Sequence, residues 1–129
     1  MFYYLDTSAW IAWKFGQNGK ELLAKVLLKQ NTVLSSPLLV AEYLAFLKKT
    51  KQLENVRYED DLEFIRWIYP ADSLIESCAE CARCHYLRGA DLYHLATALW
   101  FAQGLRKDLR FLTCDIEQAR AAQKIGFKL

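Results

Sequence analysis

The chain has 129 residues, with 17 Lys and Arg against 15 Asp and Glu, for a formal net charge of +2. That near-balance excludes a strongly basic protein marked for nucleic acid by charge alone, so any polyanion site has to come from local clustering. With 53% hydrophobic and 25% charged residues, the composition is that of a folded globular chain and excludes disorder.

Taken in chain order, Phe2-Tyr3-Tyr4-Leu5 is a short apolar strand running into Asp6. No basic leader or small-residue cleavage site precedes it, and Lys or Glu interrupts every apolar run before it could span a bilayer. The expectation is a soluble cytoplasmic protein with no membrane partner. Residues 7–15 predict a helical turn or two, and Gly16-Gln17-Asn18-Gly19 is a turn signal. Helical periodicity over 20–30 places Leu23, Val26 and Leu27 on one face, and 32–35 predicts a second strand. Ser36 reads as an N-cap with Pro37 at the first helical position, opening a helix to about Lys51.

An amphipathic helix is expected over 58–68, acidic at its start as the helix dipole favours, with a short third strand around 68–71. A continuous helix over 72–87 precedes a turn at Arg88-Gly89-Ala90, then a helix over 91–103 stopped by Gly104. Residues 109–114 predict a strand, 116–124 a helix ending at Gly126, and 127–129 a last short strand. Strands alternating with helices over short connections indicate one α/β domain, residues 1–129, folded as an α/β/α sandwich around a mostly parallel sheet. Repeats, linkers and low-complexity stretches are absent from the sequence.

The cysteines Cys78, Cys81 and Cys84, followed by His85, have a spacing that would suit a metal cluster, with Cys114 the fourth. The expected helix offers no Gly or Pro for a ligand loop, however. It places Leu74, Cys78, Cys81 and His85 on one stripe, which favours buried, reduced thiols acting as small hydrophobes.

Four carboxylates stand out. In an open sheet, ligands bind beyond the carboxyl ends of the strands, and Asp6 and Asp115 both directly follow predicted strands. Asp91 opens a helix after a Gly-Ala turn. Each of the three also has a plain reading as a helix N-cap. Glu42 differs, being the only charge in Leu38-Leu39-Val40-Ala41-Glu42-Tyr43-Leu44-Ala45-Phe46-Leu47. On a helix read as apolar all round, it needs a cation, a donor or a proton, unless it sits at a rim reaching solvent. Convergence of all four makes sense only with a divalent cation to offset their repulsion. All-oxygen donors favour Mg²⁺ or Mn²⁺, and such a site suits phosphodiester hydrolysis.

Tyr4-Leu5-Asp6-Thr7-Ser8-Ala9, Val40-Ala41-Glu42, Arg88-Gly89-Ala90-Asp91-Leu92-Tyr93-His94-Leu95-Ala96-Thr97-Ala98, and Leu112-Thr113-Cys114-Asp115 with Ala121-Ala122 and Gly126-Phe127 together resemble a PIN domain. The closest likeness is to VapC-type toxins of prokaryotic toxin–antitoxin pairs. The resemblance spans essentially the whole chain, and the Gly-Ala-Asp…His-Leu-Ala-Thr-Ala segment is its most specific part. It implies a five-stranded parallel sheet, a Mg²⁺- or Mn²⁺-dependent endoribonuclease acting on RNA, and a cognate antitoxin that covers the site. Asp6, Glu42, Asp91 and Asp115 match the family's catalytic and metal-binding quartet. Thr7 or Ser8 matches the hydroxyl position beside the first Asp.

Thr113 and Glu117 are candidates to orient those acids, Glu117 ranking first as a solvated helix residue. His94 is read as structural and left outside the catalytic set. RNA-contact candidates are Lys14 and Arg88, with Lys48, Lys49, Lys51, Arg106, Lys107 and Arg110 also available. Trp10, Trp13, Tyr43 and Phe46 suit core and dimer packing better than base stacking, and helices this rich in Leu and Trp imply a homodimer. The connection around 17–19 is short for the family. The rival reading is a catalytically silent PIN-like RNA-binding or assembly module whose Asp residues only cap helices. A haloacid-dehalogenase-type phosphatase would need a second Asp where Ser8 stands, which counts against it.

Overall fold

A computed structural model describes residues 1–16, 19–105 and 108–129. The expected turn around Gln17 and Asn18 and the candidate cations Arg106 and Lys107 therefore lie outside the described residues. The chain runs β1 (Phe2–Leu5), α1 (Thr7–Phe15), α2 (Gly19–Val26), β2 (Thr32–Ser35), α3 (Leu38–Lys49), a 3₁₀ turn (Leu53–Asn55), α4 (Tyr58–Asp61), β3 (Ile65–Trp67), α5 (Leu74–Cys84), α6 (Gly89–Leu105), β4 (Leu109–Leu112) and α7 (Ile116–Ile125). Among the described residues no helix is long and apolar enough to cross a membrane.

The strands form one parallel sheet in the order β3-β2-β1-β4. Successive side chains of a strand point to opposite faces, and β1 is buried on both. Tyr4 joins Leu34, Leu95, Ala96, Phe111 and Ala121 in the core under α5, α6 and α7. Leu5 joins Val33, Ile65, Trp10, Leu39 and Tyr43 in the core under α1 and α3. The α/β/α reading of the sequence holds. Trp10, Trp13 and Tyr43 are spent on the second core, as their packing reading anticipated.

Among the described residues the sheet has four strands instead of five. Gly126, at φ 110° in the left-handed region glycine favours, closes α7. The three residues that follow make only a parallel bridge, Arg110 to Lys128, in place of a full strand. The expected helix over 58–68 is also corrected. It survives as α4, and the segment then pairs with β2 through Val33–Ile65 and Ser35–Trp67. Strand β3 thus lies ahead of the predicted 68–71, where Pro70 has no N–H to give a ladder.

The helix expected over 72–87 stops at Cys84, because His85 turns to extended backbone at φ −164°, ψ 140°. Cys81 is buried and its thiol is pushed up to about 12 by burial, with smaller effects of Cys78, Glu80 and Cys84. Cys78 is half-buried, Cys84 is exposed, and His85 leaves the stripe to bond Glu117. At α6 the helix begins at Gly89, so Asp91 sits inside its first turn and is not its N-cap. The helix expected over 20–30 ends early, at Val26.

Strand order reverses at β1, which has β2 on one side and β4 on the other. The carboxyl ends of β1 and β4 therefore open onto a switch point, where open α/β sheets place their ligands.

Candidate active site

Asp6 follows β1 and caps α1, yet it is 1% exposed, which is unusual for an N-cap carboxylate. Its Oδ2 accepts from the Ser8 backbone N–H (3.2 Å) and the Ser8 hydroxyl, with the Thr113 hydroxyl 3.0 Å away. Its Oδ1 faces His94 Nε2 at 3.9 Å. Three donors on one oxygen leave the other for a different use.

Asp115 caps α7, its Oδ1 accepting the Gln118 N–H at 2.9 Å. Its own N–H donates to Thr113 Oγ1 (3.1 Å), so one threonine joins the ends of β1 and β4. Asp91, half-buried in the first turn of α6, shares a cleft of about 670 Å³ with Asp115, His85, Tyr86, Arg88 and Glu117. Glu42 stands on α3 at the rim, its side chain 32% exposed. Its Oε1 accepts from the Thr7 hydroxyl (2.8 Å) and from His94 Nε2 (2.8 Å).

This corrects the sequence-based view of Glu42. Helix α3 buries only the stripe Leu39, Tyr43 and Leu47, while Ala41 and Ala45 are exposed. The carboxylate is at a rim, but it is not merely solvated: two donors hold it.

Three of the acids act electrostatically on the fourth, Asp91. Burial pushes the Asp91 carboxyl up most, and the charges of Asp6, Asp115 and Glu42 push it further, against a pull from His94. Glu42 goes the other way: burial raises it, but the bonds from His94 and Thr7 outweigh that and bring it down. Asp91 is thus where the negative field of the group collects. Among the described residues, no group of three or more His, Cys, Asp or Glu side chains is placed as a ready-made metal cage.

The sequence matches the PIN domain family over residues 3–124. The chain belongs to the PIN domain family. A chain in the crystal structure of VapBC2 from Rickettsia felis, bound to a DNA fragment from their promoter, has the same fold as this PIN domain. Its TM-score is 0.70 over 94% of this chain and 93% of that one, at 21% sequence identity. No curated protein matches the sequence significantly.

In this PIN domain the candidate hydroxyls all reach the acids: Thr7 bonds Glu42, and Ser8 and Thr113 bond Asp6. Glu117 does not. It is exposed and bonds His85 Nε2 and Arg120 Nη1, each at 2.8 Å. Lys14, an RNA-contact candidate, is engaged by Asp61 at 3.0 Å in a partly exposed ion pair. Arg88 is exposed and lines the cleft with Asp91 and Asp115.

Two residues escaped the sequence reading. His94, set aside as structural, is fully buried and touches Glu42 directly. Gln118, also fully buried, donates to the Asp91 carbonyl (3.2 Å) and sets Oε1 2.9 Å from Thr113 Oγ1, where it shares that hydroxyl's one hydrogen with Asp6. Asp115-Ile116-Glu117-Gln118 carries the capping-box spacing, a signal that could have found it. Here that Gln bonds across to α6 while Thr113 takes the cap N–H. Replacing Gln118 with Leu takes the side-chain donor from the Asp91 carbonyl and the Oε1 acceptor from the Thr113 hydroxyl at a buried position. The expected cost is about 1–3 kcal/mol, read as a lower urea midpoint at unchanged slope. An unchanged midpoint would mean that water satisfies both groups.

Proposed function

We propose that this PIN domain is a Mg²⁺- or Mn²⁺-dependent endoribonuclease, the toxin of a toxin–antitoxin pair, with Asp6, Glu42, Asp91 and Asp115 as its catalytic and metal-binding residues. The observation that supports the reading is geometric: Asp91 and Asp115 line one cleft, Thr113 links Asp115 to the buried Asp6, and Glu42 and Asp6 both face His94 Nε2, while burial first and then the other three charges raise the Asp91 carboxyl. A group that repels itself in this way is suited to a cation. The fold shared with a chain of VapBC2, together with the resemblance to VapC-type toxins, supports the toxin role.

A divalent ion held by these acids would offset their charge, polarise the phosphate and make a water more acidic. The chain's own residues do the rest. Ser8 and Thr113 fix Asp6, and Thr7 and His94 fix Glu42, so two carboxylates that both face His94 Nε2 keep set orientations. Arg88 offers a planar guanidinium to a phosphate at the cleft mouth. A water in line with the ribose leaving oxygen would attack phosphorus as the bond to that oxygen breaks, the water's proton passing to solvent and the leaving oxygen taking one from solvent.

The partners that follow are an RNA substrate, a cognate antitoxin covering the site, and a second copy of the chain, all in the cytoplasm with the chain as a single domain. Exposed Phe15, Leu22, Leu27 and Leu28 on and after α1 and α2 give apolar surface for a protein partner. Purified protein should cleave RNA, lose that activity in excess chelator, and regain it with Mg²⁺ or Mn²⁺. Equal cleavage in excess chelator would overturn the metal mechanism. Absence of both cleavage and Mn²⁺ binding would leave the silent RNA-binding or assembly module.

A further inference from the structure

His94 and Tyr4 are both 0% exposed, and neither belongs to the acidic quartet. They nonetheless form a continuous chain to one of its members. The Tyr4 hydroxyl lies 2.7 Å from His94 Nδ1, and the two rings meet edge to face with centroids 5.8 Å apart. His94 Nε2 lies 2.8 Å from Glu42 Oε1 and 3.0 Å from Thr7 Oγ1. The Thr7 hydroxyl closes the triangle by donating to the same Glu42 oxygen at 2.8 Å.

The direction of the bonds follows from what each group can do. An ionised carboxylate only accepts, so Nε2 must carry a hydrogen toward Glu42. In the neutral ring Nδ1 is then bare, and the Tyr4 phenol is the group that donates to it. Tyr4 is immobile for its own reasons, its ring stacked on Phe111 at 5.4 Å with planes 4° apart. The sheet fixes Tyr4, Tyr4 fixes the tautomer and orientation of His94, and His94 with Thr7 fixes Glu42.

We propose that Tyr4 and His94 are positioning residues for metal binding, holding the rim carboxylate Glu42 in its ligand orientation before an ion arrives. The proposal rests on the metal-dependent reading above. A histidine serving only the core would have no need of Glu42. A rim glutamate at 32% side-chain exposure would otherwise be held by the Thr7 hydroxyl alone. Without the Tyr4 donor, the ring can adopt the other tautomer and present a lone pair to the carboxylate.

The test is Mn²⁺ binding to the full chain by calorimetry, with the melting temperature of each metal-free variant measured alongside. Tyr4→Phe keeps the ring stacking and should weaken Mn²⁺ binding roughly 10-fold, the scale on which supporting partners of metal ligands act. In a Glu42→Gln background the same Tyr4→Phe change should produce no further loss, because the chain acts through Glu42. Unchanged affinity in Tyr4→Phe overturns the proposal. So does an equal loss in the Glu42→Gln background, which would mean that Tyr4 acts through the fold in general. Wild-type protein that binds no Mn²⁺ overturns the underlying metal reading instead, and the two failures are distinguishable.

Discussion

Asp91→Asn is expected to reduce RNA cleavage by about 10³-fold or more while raising the melting temperature of the metal-free protein. The first effect follows from losing a ligand that supports several kcal/mol of charge stabilisation, each 1.4 kcal/mol being worth tenfold in rate. The second follows from relief of repulsion, since burial and the charges of Asp6, Asp115 and Glu42 all disfavour ionised Asp91. The carboxyl is raised above its unfolded value, so the fold prefers its protonated form. That preference is fully present below the unfolded pKa and is lost as pH rises through the folded one. Metal-free wild type should therefore lose stability across the acid range above about pH 4, while Asp91→Asn lacks that component. Glu42, brought down by His94 and Thr7, works in the opposite sense and loses its contribution as pH falls. Saturating Mn²⁺ should reverse the ranking, because only wild type gains the full binding free energy. Thermal melts with and without Mn²⁺, beside a cleavage assay, test both parts. Asp6→Asn should match the loss of cleavage. A variant at Asp91 that cleaves normally, or melts lower without metal, would contradict this account.

Legibility in the sequence followed the range of the forces involved. Strands β1, β2 and β4 are short apolar runs bounded by polar or turn residues, so Asp6 and Asp115 could be placed beyond strand ends from local pattern alone, although β4 stops at Leu112 and leaves Thr113 and Cys114, read as strand, in the corner. The stretch from Tyr58 to Ile68 could not be resolved this way. Tyr58, Leu62 and Ile65 fall at helical spacing, while Ile65-Arg66-Trp67 alternates as a strand does. Parallel pairing with Val33 and Ser35 decides between them, and that pairing is invisible locally. Glu42 was reasoned correctly to need partners, but for a partly wrong reason. Alanines count as apolar in a helix pattern yet sit in solvent at no great cost, and Ala41 and Ala45 do so here. His94 was unreadable because its meaning lies in Glu42, Thr7 and Tyr4, which are 52, 87 and 90 residues away in sequence.

Asp115 poses the sharpest contest between capping and chemistry, and two substitutions separate them. The residue caps α7 through the Gln118 N–H, a role that serine fills about as well as aspartate. Asp115→Ala should lose the cap, costing about 1 kcal/mol of stability, and lose cleavage as well. Asp115→Ser should restore most of the stability and leave cleavage roughly 10²-fold below wild type, because it supplies a cap oxygen without a charge. The extra charge has a visible consequence already, since Asp115 contributes to raising Asp91. Asp115→Ser should therefore also lower the Asp91 carboxyl toward its ordinary range, measurable by carbon-detected NMR titration of the metal-free protein. Full cleavage in the Ser variant would reduce Asp115 to a helix cap. Lost cleavage with a normal urea midpoint would assign the charge to the site, because the cap would then be intact while the chemistry was not.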